Sequence, residues 1–503
     1  MSIIGLLLLV GLIIYWVVQR HAAGVTRTPL WLLWLVMVTP AVTWTIVFLY
    51  SKALLSVELI VTSLVISSLL YWFLVQMGRI DASVATKVIA DKPDERQDER
   101  ANPIPELKLA SEQPTPSPAR LLSNDEEATL KACFPWSVYY VQTIDYRLQA
   151  VICKGHLRTD PSKAYETIRQ NIAEKFGDRF LVVFQEGSDN KPFFALVPNP
   201  YLHKGKRSVD SALHRPRLAL ALLVITLIMT TVAGAAMTGV TVEQLQASPE
   251  AWLQGLSYSL PLMIILGIHE LAHYLTARAY GLRVTLPYFI PAPFFLGTFG
   301  AFIQIRSPMP NRKALFDVSI AGPAAGLVVT IPVLLWGLAH SEPVALPANA
   351  TIGSLQAFNP AYTLMLALLS KLALGSAVAE NVGLKLHPAA IAGCLGLLVT
   401  ALNLMPVGQL DGGHIVHAML GQRKAAIIGQ VARVLMLLLC LRLPDFGLWA
   451  LMLFLMPSAD EPALNDVTEL DDQRDFWGLI AIATLLLIIL PPPAALTRLL
   501  FQG

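Results

Sequence analysis

Apolar runs long enough to cross a bilayer as helices of about 20 residues constrain this chain more than any other feature. Three open the sequence, near 2–18, 30–50 and 54–77. Others follow near 217–240, 258–278, 315–338, 359–374, 388–404, 425–456 and 476–497, and the run 425–456 is long enough for two spans. The composition agrees, since 55% of the 503 residues are hydrophobic and only 14% are charged, against roughly a quarter charged in a soluble domain. The reading is a polytopic α-helical membrane protein. Lys and Arg together number 37 against 35 acidic residues, a balance with no basic excess to hold nucleic acid. Cys133, Cys153, Cys394 and Cys440 are scattered without a CxxC pair, so neither a disulfide framework nor a cysteine metal site is expected.

Between the two sets of spans the composition changes twice. Residues 78–124 mix charge with proline, as in DKPDERQDER and EQPTPSPAR, and bury too little apolar surface to fold, which predicts a flexible linker. Residues 125–205 read as a small soluble α+β domain. LQAVICKGHL is a strand, Asp160-Pro161 starts a helix that ends before Gly177, and FLVVFQEG and PFFALVPNP are two further strands. His156 and His203 in this domain are expected at its solvated surface. Four parts result: a three-span module at 1–77, the linker, the soluble domain, and a membrane domain at 215–503.

Loops 241–257 and 339–358 carry no Lys or Arg, whereas Arg20, Arg27, Arg278, Arg283, Arg306, Arg312 and Lys313 flank the opposite ends of the same spans. The positive-inside rule then places the soluble domain in the cytoplasm. After residue 375 the rule does not choose, because 359–374 either crosses or does not. The N-terminus enters an apolar run at Ser2 with neither a basic leader nor a small-residue cleavage site, which reads as a retained first span of a bacterial or already processed chain.

The chemistry is concentrated in two segments. LMIILGIHELAHYLTARAYG places His269 and His273 four residues apart, on one face of a helix, where both imidazoles can share a metal ion. Glu270 stands beside them, able to act as general base on a metal-activated water. These ionisable groups interrupt an apolar span, where function is the default explanation for their cost. In ALNLMPVGQLDGGHIVHAML, Asp411 again breaks apolar sequence and is surrounded by Pro406, Gly408, Gly412 and Gly413. Irregular backbone at that depth needs cover from protein or a hydrated cavity. Asp411 is the expected third ligand. The alternatives are that it caps a helix, or that His414 or His417 ligates in its place.

HELAH on one span and NLMPVGQLDGGH on a later one resemble the two signature motifs of the site-2 protease family of intramembrane zinc metalloproteases. GTFGAFIQIRSPMPNRKALFDVSIAGPAAG and PALNDVTEL are similar to its subgroup in cyanobacteria and plastids, which includes the ethylene-dependent gravitropism-deficient and yellow-green proteins. The similarity covers about 215–500 and extends to the soluble domain. It implies a site-2 protease-like catalytic core in which Zn2+ is held by His269, His273 and Asp411 and Glu270 activates water. It also implies that Asn403 positions substrate or polarises the scissile carbonyl, although an interhelical hydrogen bond explains that residue nearly as well. The implied substrates are membrane-anchored proteins with one span, such as anti-sigma factors or other regulators, cut in or near that span. The implied location is a plasma or thylakoid membrane.

Gly297 and Gly300 flank GAFIQIRS, which alternates like a strand. A strand edge near the metal would hold a locally unwound substrate by β-augmentation, so Gly297, Gly300, Phe302 and Gln304 are expected to contact substrate. An ordinary re-entrant loop is the competing reading. Gly322 and Gly326 form a small-xxx-small face, expected to serve helix packing. Two other functions compete with proteolysis. A non-catalytic, zinc-containing client-binding protein would not need the intact Glu270. An ion-coupled transporter commonly shows repeated broken helices, and neither motif occurs twice. Oligomeric state is not legible.

Overall fold

A computed structural model of the chain describes residues 28–51, 121–147, 150–187, 191–200, 215–240, 242–292, 296–345, 362–375, 382–442, 447–456 and 460–501, with scattered positions between 15 and 77 and Asn359. The expected span at 2–18, most of that at 54–77, and the expected linker as far as residue 120 lie outside the described residues. Two compact units result, residues 1–117 with 433–457, and residues 118–432 with 458–503. In the first unit, helix α1 (Leu30–Ser51) covers the range of the expected second span and contains Pro40.

The second unit opens with the small α+β domain. Helix α2 (Asn124–Ala132) starts at a capping box, in which the Ser123 hydroxyl accepts from the Glu126 N–H and the Glu126 carboxylate accepts from the Ser123 N–H. Leu122, just before the cap, is buried in the domain core. Residues 121–124 therefore belong to the domain and not to the linker in which composition placed them, because the cap and one buried leucine outweigh the charged stretch upstream.

Strands β1 (Tyr139–Arg147), β2 (Ala150–Leu157), β3 (Phe180–Glu186) and β4 (Pro192–Pro198) form one antiparallel sheet in the order β1-β2-β4-β3. Helix α3 (Pro161–Phe176) lies between β2 and β3, with the Asp160 carboxylate capping the N–H groups of Ser162 and Lys163 and Gly177 at its end. α3 and β2 to β4 stand where the sequence put them, whereas α2 and β1 did not declare themselves. Alternate residues of β3 point inward, and Phe184 stacks on Phe194 with ring centroids 4.1 Å apart. His156 is exposed as expected, and His203 lies outside the described residues.

The membrane core follows. Helices α4 (Pro216–Met237), α5 (Pro249–Ala279) and, beyond the hairpin of β5 (Tyr288–Pro291) and β6 (Thr298–Phe302), α6 (Arg312–Ala339) are each long and apolar enough to cross a membrane. Strand β7 (Glu342–Ala345) leads towards α7 (Leu364–Leu374), whose 11 residues amount to about 16 Å of helix, too little to span. Then come β8 (Val382–Lys385), paired with β7, and α8 (Pro388–Leu404). Next are α9 (Asp411–Leu420) and α10 (Gln422–Arg442), while α11 (Gly447–Leu455) falls in the first unit; the run 425–456 holds two helices, but the nine residues of α11 are too few for the second span expected there. Helices α12 (Asp472–Ile489) and α13 (Ala494–Phe501) meet at a 73° bend. Helix α5 packs on α4, α6 and α8, and α6 also packs on α9.

An extended segment, residues 463–468, joins the α+β domain to this core. The Phe184 N–H donates to the Leu464 carbonyl at 2.7 Å and the Asp466 N–H to the Phe184 carbonyl at 2.9 Å. On its other side Leu464 and Asn465 donate to the carbonyls of Met309 and Pro310, at 2.8 and 3.0 Å, just before α6 begins.

Candidate metal centre

Helix α5 carries His269, Glu270 and His273, all buried. Its partner element is made by a helix break. Helix α8 stops at Met405, the chain turns through Pro406 and Gly408, and α9 begins at Asp411. A Cβ on Gly412 would stand 2.0 Å from the Leu404 carbonyl oxygen, and one on Gly413 would stand 2.2 Å from that of Gly408. The two glycines let α9 start hard against the turn, which aims Asp411 at α5.

Three ligand atoms converge. Nε2 of His269 and Nε2 of His273 are 3.2 Å apart. Oδ2 of Asp411 lies 3.2 Å from Nε2 of His273 and 3.8 Å from that of His269. Ligand atoms about 2.0–2.1 Å from a tetrahedral zinc are separated by about 3.3 Å, so the triangle fits such an ion. The tautomer fits too. Nδ1 of His273 is 2.7 Å from the Val318 carbonyl, to which it donates, leaving the Nε2 lone pair to point at the shared centre. Two imidazole nitrogens and a carboxylate oxygen facing one another fit a shared cation better than one another. Among the described residues, His269, His273 and Asp411 form the one cluster with metal-ligand spacing.

Glu270 does not join the triangle. Its carboxylate lies near the backbone N–H of Ile303, immediately after β6. The Asn403 amide nitrogen, on α8, lies 3.0 Å from Nε2 of His269 and borders the same centre. His414 and His417 are elsewhere. Nε2 of His414 is 3.0 Å from Asp460, and the two ring nitrogens of His417 are 2.8 Å from Asp460 and 2.9 Å from Asp466. The fold thus brings Asp411, and neither of these histidines, to the His269–His273 pair.

The hairpin β5–β6 lies beside the centre, with Tyr288 opposite Phe302 and Phe289 opposite Ala301. Gly297 and Gly300 both have positive φ, 78° and 104°, the region that glycine enters without steric cost. Among the described residues β6 has β5 as its single strand partner, which leaves its second edge without one. Phe302 is exposed. Gln304 lies past the strand end, its backbone paired in both directions with Thr285.

Three participants escaped sequence reasoning. Gly322 and Gly326 on α6 face the two histidines directly, a placement that helix spacing alone does not give. Val318, one turn earlier, supplies the carbonyl that orients His273. An i, i+4, i+8 pattern on a helix packed against HExxH was the available signal.

Fold and site together define a helical protein with elements long and apolar enough to cross a membrane and a His-His-Asp cluster that could hold a metal ion. Residues 257–441 match the model of Peptidase family M50, and residues 128–203 match that of the EGY3 middle domain. The chain is 28% identical over 365 residues to "Probable zinc metalloprotease EGY2, chloroplastic" of Oryza sativa subsp. indica, covering 72% of this chain and 65% of that one. It is 36% identical over 235 residues to "Probable zinc metalloprotease EGY1, chloroplastic" of Arabidopsis thaliana, covering 45% and 41%. It is 26% identical over 381 residues to "Probable zinc metalloprotease EGY3, chloroplastic" of Oryza sativa subsp. indica, covering 72% and 63%. The chain thus spans just under two thirds of the length of the first of these relatives. No solved structure matches.

Proposed function

We propose that the protein is an intramembrane zinc metalloprotease that hydrolyses peptide bonds in or near the transmembrane segments of membrane-anchored proteins. The observation that carries this reading is the convergence of His269, His273 and Asp411 from two helices on one buried point, with Glu270 next to it. His269, His273 and Asp411 would hold the zinc. Bound there, zinc supplies Lewis acidity to the scissile carbonyl and acidifies water. Glu270 takes the water proton and passes it to the leaving amine. Asn403, at the rim of the centre, orients the carbonyl. The open edge of β6, with Gly300 and Phe302, receives the unwound substrate as an added strand, and Gly297 and Gln304 border it. The packing of α5, which carries Glu270, against β6 supports this.

The α+β domain faces the cytoplasm in this reading, supported by the distribution of Lys and Arg around the spans. The chain is organised as a membrane module at 1–77, a linker, the α+β domain and the catalytic membrane domain. The substrates are regulatory proteins with a single span.

The test is cleavage of a single-span reporter in liposomes by wild type and by Glu270→Gln, both shown to contain zinc. Wild type is expected to cut within the span and the variant to be slower by at least about a hundredfold. Equal cleavage by the zinc-loaded variant would remove Glu270 from its role. Failure of both on a varied panel with zinc bound would favour a client-binding protein.

A further inference from the structure

The opposite end of α9 holds a buried charge network that the proposed chemistry does not use. His417 is fully buried between two carboxylates, Nδ1 against Asp460 and Nε2 against Asp466. Nε of Arg312, the first residue of α6, donates to the same Asp466 oxygen at 3.3 Å. The Arg312 guanidinium also lies against Gly421, which closes α9, so that a Cβ on that glycine would stand 2.8 Å from Nη2. Asp460 takes the other face, receiving His414 at 3.0 Å while its carbonyl accepts from the Gln422 amide at 2.7 Å.

Buried ions cost desolvation that only pairing repays, so apolar residues of similar volume would hold these helices together as well or better. What a paired, hydrogen-bonded network adds is a single register. The register matters here because α9 is one short rigid rod. Asp411 is its first residue and His417 lies six residues on, about 9 Å along the axis. A slip or rotation at the clamped end is passed undiminished to the carboxylate at the other.

We infer that Asp466, acting through His417, is a positioning residue that sets the depth and rotation of α9 and so places Asp411 in the metal centre. The inference rests on the reading of His269, His273 and Asp411 as zinc ligands. Asp466 also ties this register to the α+β domain, since its own N–H donates to Phe184 of β3 at 2.9 Å. One residue therefore joins the sheet of that domain, the start of α6 and the helix that carries the third ligand.

The experiment uses the full chain in detergent, comparing wild type with Asp466→Asn, Asp466→Ala and His417→Gln, and with Lys385→Ala, which breaks an exposed ion pair with Glu342, as control. Zinc affinity is read by chelator competition. Geometry at the centre is read from the d–d absorption of protein saturated with cobalt(II), which a merely structural role leaves unmoved. Asp466→Asn and His417→Gln are expected to lower zinc affinity about tenfold or more and to shift the cobalt bands, while Lys385→Ala changes neither. Should Asp466→Ala fail to fold, the two milder variants carry the test. Unchanged affinity and unchanged cobalt bands in both, with or without loss of thermal stability, overturn the inference and leave the network structural. If wild type binds neither metal, the zinc reading itself fails and this inference falls with it.

Discussion

A Cβ built on Gly322 would stand 2.0 Å from Nε2 of His273. One turn along α6 the same construction on Gly326 falls 3.1 Å from Nδ1 of His269. The helix thus presents bare backbone to both imidazoles, and the two glycines differ in how much room remains. Gly322→Ala forces the His273 ring to turn, breaking its bond to the Val318 carbonyl, and is expected to lower zinc affinity about tenfold or more. Gly326→Ala needs a shift of only a few tenths of an ångström and should cost much less. Chelator competition on the two variants decides this, and an affinity for Gly322→Ala equal to that of wild type refutes the account.

The choice of third ligand has its own test. Asp411 reaches the two histidines whereas His414 is engaged 3.0 Å from Asp460. Asp411→Ala is expected to retain almost no zinc after dialysis against a weak chelator, and His414→Ala to retain a full equivalent. The opposite pattern in metal analysis would make His414 the ligand.

How much of this was legible depends on the range of the interaction. HExxH is local, so spacing alone put His269 and His273 on one face, and Asp160, Pro161 and Gly177 marked the ends of α3 in the same way. The Ser123 and Glu126 capping box was equally local but lay hidden behind a charged stretch. Strand β1 lacked a clean alternation, its register broken by an irregularity between Val141 and Thr143. What the sequence withheld is long-range. Asp466 meets His417 across 49 residues and Arg312 across 154, and no periodicity encodes such a pairing. Gly322 and Gly326 showed a small-residue face, but not that its neighbour would be the metal centre.

The glycines of the hairpin separate packing from strand geometry. Gly300, at φ 104°, has open space where a Cβ would stand, so Gly300→Ala meets backbone strain alone, of order 1–3 kcal/mol. That variant should fold and keep zinc while cutting a single-span reporter several-fold more slowly. Gly297→Ala adds a clash 2.5 Å from the Thr230 Cα on α4 and should lose thermal stability as well. Wild-type cleavage by Gly300→Ala would exclude β6 as the substrate strand.

In the α+β domain, burial pushes the Cys153 thiol from its ordinary 9.0 up to about 12. Because the folded state holds this proton more tightly than the unfolded chain, the resulting stabilisation is complete below pH 9 and is lost as the pH climbs towards 12. At pH 9 a thiol with its ordinary value is about half ionised, whereas one raised by three units is ionised about once in a thousand. Since the thiolate is the reactive species, Cys153 in native protein should take up iodoacetamide at pH 9 at least about a hundredfold more slowly than in urea-denatured protein. Peptide mass spectrometry resolves Cys153 from the other three cysteines. Equal labelling rates in the two states would mean that the β2 strand and its aromatic cover open far more readily than their packing implies.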